Sequence, residues 1–376
     1  MAIYDRYLTV LFFRVLLVMF TALCGLFMIV DFFDRLEEFL DITQHEGSLA
    51  SVTFEFYTPR VLSFFDRTSG LVALISAVFV VTWIQRNREL IAIYAGGIGT
   101  RRIIRPIVVC VLLVAAFGVL NREVLIPAYK DRLVRDTRNW FGKDEVTLRP
   151  TYDRMTGVFL NGKGAVIAKN EIISPNIQLP PGTTSSAPRI VAEQGKYLRS
   201  GPDHEAGYLL TDVSVPMEID SLDPVILDEK VLVYTSQNAD WLEKGACFLV
   251  SRISVQDLTD KDANAVYSST AELLEDFRNP SRHYDSTSRV LVHARLVQPI
   301  LDLSLLFVGL PIVLASRSGN VFLSIGLNFV LVVFYFLTQL CSHAMGTEGF
   351  ISPALAAWLP LFVFAPLGYA GISRLQ

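Results

Sequence analysis

Residues Arg86 to Pro106 read RNRELIAIYAGGIGTRRIIRP and lie between two long apolar runs. The segment is too basic to cross a membrane, yet it is not uniformly hydrophilic. Its middle part, ELIAIYAGG, begins with an acid, continues with apolar and small residues and ends in two glycines. This pattern predicts a short helix that begins near Glu89, where the acid favours the helix dipole, and stops at Gly97. The sequence thus indicates a folded connector between two membrane spans.

The apolar runs on either side of this connector belong to a larger set. Each has roughly the 17–25 residues needed to cross about 30 Å of hydrocarbon. The runs are Thr9–Val30, Val61–Ile84, Ile103–Leu120, Leu296–Leu314, Val321–Cys341 and Ser352–Ser373. The composition agrees, since 52% of the 376 residues are hydrophobic, against about 45–50% in soluble domains. We therefore expect an α-helical membrane protein with six spans, three on each side of a central domain.

The charges of the short loops predict the orientation. The loop at 85–105 holds five arginines against the single acid Glu89, whereas residues 31–59 hold seven acids against Arg35 alone. Arginine-rich short loops stay in the cytoplasm, so we expect both termini there and the central domain outside. The net charge of −4 gives no indication of nucleic-acid binding.

The central domain reads as soluble protein rich in β-structure. Between about 146 and 253, short apolar runs alternate with turn residues, and Asn161-Gly162 between two runs predicts a β-hairpin. Many short strands without intervening helices favour an all-β sandwich or jelly-roll-like domain. Ser269-Thr-Ala-Glu272 predicts a capping box that starts a helix. The expected domains are 1–127 with the connector helix at about 86–97, then 128–290, then 291–376.

Motifs for catalysis are weak. Residues 157–164 (GVFLNGKG) have the spacing of a phosphate loop, but Gly164 stands where Ser or Thr would reach magnesium, so we predict no nucleotide site. The five histidines are scattered and show no metal-ligand spacing. We predict a chain that is not itself an enzyme and holds no metal.

Charged residues at the ends of the spans are candidates for binding. Asp66 and Arg67 lie early in the second run, and charges near hydrocarbon are functional candidates, although they could simply lie at the interface and pair. In the acidic segment that begins with Asp31 and Phe32, Arg35 could meet a lipid phosphate. The alternative is a solvated turn at the membrane edge.

The connector has two interpretations. Glu89, Ala92 and Ile93 share one helix face, and the small residues Ala92, Ala95 and Gly97 allow a partner to approach closely. This arrangement is typical of a docking helix. The alternative is an ordinary basic loop with no partner.

Four separated stretches resemble one family, the LptF/LptG permeases of lipopolysaccharide export. ELIAIYAGGI at 89–98, followed by Arg102 and Pro106, resembles its coupling helix, and NREVLIP at 121–127 resembles its exit from the third span. SSTAEL at 268–273 with VLVHARLVQP at 290–299 resembles the return into the fourth span, and GFISPALAAWLP at 349–360 the start of the sixth. Residues in these stretches expected to shape membrane entry are Pro106, Asn121, Pro127, Arg295, Pro299, Pro353 and Trp358.

This resemblance implies a permease subunit of the bacterial inner membrane, with residues 128–290 forming a periplasmic jelly-roll-like domain. The implied partners are a second LptF/LptG-type permease, a cytoplasmic LptB-like ATPase dimer that binds ATP and magnesium, and periplasmic LptC/LptA-like bridge proteins. The subunit itself would bind no cofactor, and its substrate would be lipopolysaccharide. Residues implied to couple to the ATPase are Glu89, Leu90, Ala92, Ile93, Ala95, Gly97 and Arg102. Residues considered for the substrate are Asp31, Phe32, Arg35, Asp66 and Arg67.

Two other functions stay open from the residues. A membrane-anchored enzyme acting on envelope lipids could use His293, Arg295 and the Asp66-Arg67 pair near one interface. A mechanical signalling permease would bind an ATPase and move no lipid.

Overall fold

The structure is a computed structural model, and it describes most of the chain. The described residues are 3–43, 48–134, 145–181, 183, 188–201, 204–217, 219–221, 223–227, 230–239, 241–259, 265–278, 281, 286–315 and 321–373. The chain divides into two compact units, a membrane unit of Met1–Tyr129 with Asp285–Gln376 and a β unit of Lys130–Tyr284.

The membrane unit contains, among the described residues, six helices long and apolar enough to cross a membrane. They are Ile3–Asp34, Leu49–Arg86, Thr100–Ala128, Ser286–Leu314, Leu323–Thr347 and Pro353–Ser373, called the first to sixth helices below. The third includes a π-helical stretch, Asn121–Leu125. Two short helices complete the unit, Leu36–Thr43 after the first helix and Glu89–Ala95, the connector helix, after the second. The number and placement of the predicted spans are confirmed.

The second, third, fourth and sixth helices form the centre of the membrane unit, and small residues let them approach closely. A Cβ atom added at Gly70 would collide with the carboxylate of Asp302, and one added at Gly309 would lie 2.7 Å from both Leu74 and Asn328. Apolar burial drives little helix association inside a membrane, so such close packing at small residues supplies much of the contact energy.

The first and fifth helices differ from this centre. Only 11% of the most apolar stretch of the first helix is buried, and 17% of that of the fifth. Their exposed leucine, valine and phenylalanine side chains need lipid or another membrane protein around them.

The described residues of the β unit form ten strands in one antiparallel sheet. They are β1 Thr151–Tyr152, β2 Phe159–Asn161, β3 Gly164–Val166, β4 Glu171–Ile173, β5 Asn176–Gln178, β6 Arg189–Leu198, β7 Gly207–Val215, β8 Val225–Leu227, β9 Lys230–Tyr234 and β10 Cys247–Val250. Their order is β1-β2-β5-β6-β7-β10-β9-β8, with β4 also on β6 and β3 on β4. Short helices at Lys130–Val134, Val255–Thr259 and Thr270–Asp276 flank the sheet in sequence. Six apolar helices, with an antiparallel β domain inserted in sequence between the third and the fourth, confirm the predicted fold class.

The predicted hairpin at Asn161-Gly162 is wrong. The strands on either side of it do not pair with each other, because β2 pairs with β1 and β5 whereas β3 pairs with β4. The glycine is needed for a close contact, since a Cβ there would lie 2.7 Å from the Ile172 side chain. The two residues form a corner between different strand pairs.

One buried carboxylate of the β unit is held by several hydrogen-bond donors. Asp153 is fully buried and accepts hydrogen bonds from the backbone N–H groups of Met155 and Thr156 and from the hydroxyl of Ser251. The predicted capping box is confirmed, because the Ser269 hydroxyl accepts from the backbone N–H of Glu272 and the Glu272 carboxylate accepts from that of Ser269.

Candidate functional site

The connector helix has defined boundaries. The residue before it, Arg88, has a left-handed backbone (φ 58°) that turns the chain out of the second helix. At its other end Gly97 has φ 76°, its N–H donates to the carbonyl of Tyr94, and the N–H of Ile98 donates to that of Ile93. This pair of bonds is a Schellman motif, which requires a left-handed residue at the position of Gly97. The predicted helix and its glycine stop are confirmed.

The two faces of the connector helix have different environments. Leu90 is buried, and Ile93 packs against the same apolar core of the membrane unit. On the other face Ile91 is 66% exposed and Tyr94 43% exposed. The remaining predicted coupling residues Ala92, Ala95, Gly97 and Arg102 are exposed, and Glu89 is half-buried. Leu90 and Ile93 therefore anchor the helix, while an apolar face of small and aromatic residues remains open.

Polar contacts tie this region to other helices. The Tyr7 hydroxyl of the first helix donates to Glu89 Oε1 over 3.4 Å. The Gln85 amide, at the end of the second helix, donates to the carbonyl of Val313 in the fourth helix over 3.0 Å. The last carbonyls of a helix have no partner within that helix, so Gln85 satisfies one of them. Displacement of the connector helix would thus act on the fourth helix as well as on the second.

At the opposite end of the second helix lies a cluster that includes three of the predicted substrate residues. Arg35 contacts Asp31 over 3.1 Å and Glu38 over 3.8 Å, and Asp31 also accepts from the Tyr57 hydroxyl over 2.8 Å. The ring of Phe32 stacks on Phe39 of the Leu36–Thr43 helix, at 5.5 Å between ring centres. The positive charge of Arg35 is therefore already neutralised within the chain.

The other two predicted substrate residues, Asp66 and Arg67, lie at a cavity of about 230 Å³ within the membrane unit. Its lining residues come from the second to fifth helices and are Asp66, Arg67, Leu71, Arg122, Gln298, Asp302, Leu305, Tyr335, Phe336 and Gln339. Asp66 pairs with Arg122 over 2.9 Å and not with its neighbour in sequence. The structure thus divides the five predicted residues between two separate places.

Several residues of this cavity were not predicted. Gln298 donates to Asp302 over 2.8 Å and accepts from the Gln339 amide over 3.0 Å. Gln298 and Asp302 are four positions apart in a span with no other amide or charged side chain, so they share a helix face, and this spacing could have identified them. Arg122 gave no comparable indication, because its partner is 56 positions away.

The residues expected to shape membrane entry lie within the third, fourth and sixth helices, and Asn121, Pro127 and Arg295 lie just beyond the predicted bounds of their spans. Asn121 is fully buried, and its amide donates to the carbonyl of Leu62 in the second helix over 2.9 Å. It begins the π-helical stretch that carries Arg122 toward Asp66. The other members are Pro106, Pro127, Arg295, Pro299, Pro353 and Trp358, of which Pro353 is the first residue of the sixth helix.

The described part of the chain holds no group of three or more His, Cys, Asp or Glu residues arranged to bind a metal ion.

A comparison with protein families gives one match. The family model described as "Lipopolysaccharide export system permease LptF/LptG" matches residues 6–174 and 246–374. No curated protein matches the chain. The match covers most of the chain, including all six membrane helices, so the chain belongs to the LptF/LptG family and is a multi-pass membrane permease.

Proposed function

We propose that this member of the LptF/LptG family is the permease subunit of an ABC transporter that extracts lipopolysaccharide from the inner membrane and passes it to a periplasmic bridge. The observation that carries the proposal is the connector helix, which is anchored to the membrane core by Leu90 and exposes Ile91 and Tyr94. A rigid helix with an open apolar face suits a groove on a partner protein.

The proposed partner at this face is a cytoplasmic LptB-like ATPase dimer, which would bind the ATP and magnesium. A partner changes a conformational equilibrium only as far as it binds the two states with different affinity. The anchored face of the connector helix and the bond from Gln85 to Val313 supply a stiff connection to two membrane helices. Closure of the ATPase would move these helices together.

A second LptF/LptG-type permease is the proposed neighbour in the membrane. The exposed first and fifth helices are the surfaces that such a neighbour or lipid would cover. Lipopolysaccharide would occupy the space between the two permeases. The β unit would continue the path by adding a strand of an LptC/LptA-like bridge at a terminal strand of the sheet order, such as β1 or β8.

For the substrate we assign Asp31, Phe32 and Arg35 a role at the rim of this space. Arg35 already contacts two acids, so it has little positive charge left for a lipid phosphate. The second permease would therefore supply most of the cationic groups. Asp66 and Arg67 belong to the separate cavity, whose charges suit a different headgroup.

Co-purification tests the proposal. We expect Glu89→Ala to reduce recovery of the ATPase with the permease pair and to abolish release of lipopolysaccharide to the bridge protein, because Glu89 begins the connector helix. Glu37 is an exposed acid at the opposite end of the bundle. Glu37→Ala is the control and should retain both ATPase recovery and lipopolysaccharide release. Full ATPase recovery and normal release with Glu89→Ala would contradict the proposal.

The orientation is tested separately. A single cysteine placed at Arg102 should react with membrane-impermeant reagents only after the inner membrane is opened. Labelling of intact spheroplasts at this position would place the connector outside and refute the ATPase role.

A further inference from the structure

The cavity at Asp66 and Arg67 lies well away from the connector helix. Asp66 is 20 residues before the end of the second helix at Arg86, which corresponds to about 30 Å along the helix axis. Two of the cavity's lining residues, Arg67 and Phe336, are exposed. The cavity therefore opens at the surface of the helix bundle, near the membrane boundary opposite the connector.

The charges of this cavity are balanced but incompletely paired. Asp66 and Arg122 pair with each other. Among the described residues, neither Arg67 nor Asp302 forms an ion pair within 4 Å, and Asp302 accepts a hydrogen bond from Gln298. Leaving one charge of each sign unpaired in a membrane is costly. A bound group that carries both charges would neutralise them together.

We propose that this cavity binds the headgroup of a phospholipid of the phosphatidylethanolamine type. The phosphate lies against the Arg67 guanidinium, and the primary ammonium donates to the Asp302 carboxylate. The side-chain oxygens of Gln339 and Tyr335, which also line the cavity, accept the remaining N–H groups. The exposed ring of Phe336 and the side chain of Leu71 lie where the glycerol and acyl chains begin.

The size of the cavity fits this group. A volume of about 230 Å³ has room for about eight water molecules at roughly 30 Å³ each. Covalently bonded atoms need less room than separate water molecules, so a small headgroup such as phosphoethanolamine fits. A whole lipid A disaccharide is far larger and cannot enter, although one of its phosphates could reach Arg67.

The chemistry of the ammonium distinguishes this lipid from others. A phosphocholine headgroup has the same charges but no N–H to donate to Asp302. A phosphoglycerol headgroup satisfies Arg67 but brings no positive charge to Asp302. Because a buried carboxylate prefers a charged donor, we expect the cavity to favour the primary amine over both.

Native mass spectrometry of the purified permease pair, titrated with defined lipids, tests this assignment. We expect saturable binding of phosphatidylethanolamine at least tenfold tighter than that of phosphatidylcholine or phosphatidylglycerol. Arg67→Gln and Asp302→Asn should each weaken it at least tenfold. Arg14→Gln is the matched control, because Arg14 is also an exposed arginine within a span but does not line the cavity.

The titration has clear contrary outcomes. Equal binding of the three phospholipids, equal loss with Arg14→Gln, or displacement by lipopolysaccharide and not by phosphatidylethanolamine would overturn the assignment. Thermal unfolding identifies variants that fold poorly, and Gln339→Leu, at the cavity rim, then serves as a second test with the same expected loss. The assignment does not depend on the ATPase, so its failure leaves the export proposal standing.

Discussion

The two ends of the second helix, Leu49–Arg86, have different kinds of side chains around them. At the end beside the connector helix, apolar Ile91 and aromatic Tyr94 are exposed. At the other end, Arg35 and Tyr57 both bind Asp31, and the nearby rings stack on one another. The first end presents a surface that another molecule would complete. At the second end the charged side chains of the Asp31 cluster are paired within the chain, which is typical of a scaffold.

This contrast separates two uses of polar and apolar residues in one membrane unit. An exposed apolar patch lowers its free energy by binding a partner. A closed ion-pair network gains little from one and would lose its internal bonds. Substitutions at the connector should therefore alter ATPase binding, whereas substitutions at the Asp31 cluster should alter stability and leave ATPase binding unchanged.

The largest effect is expected from Gly97→Val. Gly97 has φ 76°, and a β-branched side chain is strained in this conformation. No atom lies within 4 Å of the added Cβ, so the strain acts through the backbone alone. The Schellman motif should open, and ATPase recovery should fall at least tenfold with loss of export.

The matched control is Gly99→Ala, two residues further on. Its φ is −72° and its surroundings are also open, so alanine fits there. Near-normal export is expected with Gly99→Ala. If Gly97→Val also exported normally, the connector would not need its rigid end.

Ile91→Asp should have the next largest effect. Burying an isoleucine in a partner groove contributes about 1.5–3 kcal/mol, so its loss corresponds to a weakening of ATPase affinity by about ten- to a hundredfold. Leu40→Asp makes the same kind of change at the other end, where Leu40 is also exposed. Surface plasmon resonance on nanodiscs would measure the ATPase affinity of each variant. Similar affinities for Ile91→Asp and Leu40→Asp would remove the contrast between the ends.

Gln85→Leu should have a smaller and more specific effect. It removes a hydrogen bond with a net contribution of about 0.5–1.5 kcal/mol and leaves the Val313 carbonyl without this donor. We expect normal ATPase binding but several-fold less lipopolysaccharide released per ATP hydrolysed. Gln85→Asn keeps the amide but is one methylene shorter, and it should behave in the same way. Unchanged coupling in both variants would show that force does not pass through this bond.

Much of the fold could be predicted from the sequence because its causes are local. Span length and hydropathy located the six helices, and the glycine at 97 located the end of the connector helix. Strand pairing could not be predicted, since Asn161-Gly162 specifies a turn but not which strands meet. The pairing of Asp66 with Arg122 could not be predicted for the same reason, because it joins two helices across 56 positions of the sequence.

The smallest effect is expected from Tyr57→Phe, which tests the self-contained end. The substitution removes the hydroxyl that donates to Asp31 over 2.8 Å and leaves the ring in place. Because Asp31 keeps its contact with Arg35, the loss should be about 1 kcal/mol of unfolding free energy, measurable by denaturant titration in detergent. ATPase affinity and coupling should stay at wild-type values. If Tyr57→Phe instead weakened ATPase binding with unchanged stability, the Asp31 cluster would take part in coupling to the ATPase. The two ends of the second helix would then be energetically linked.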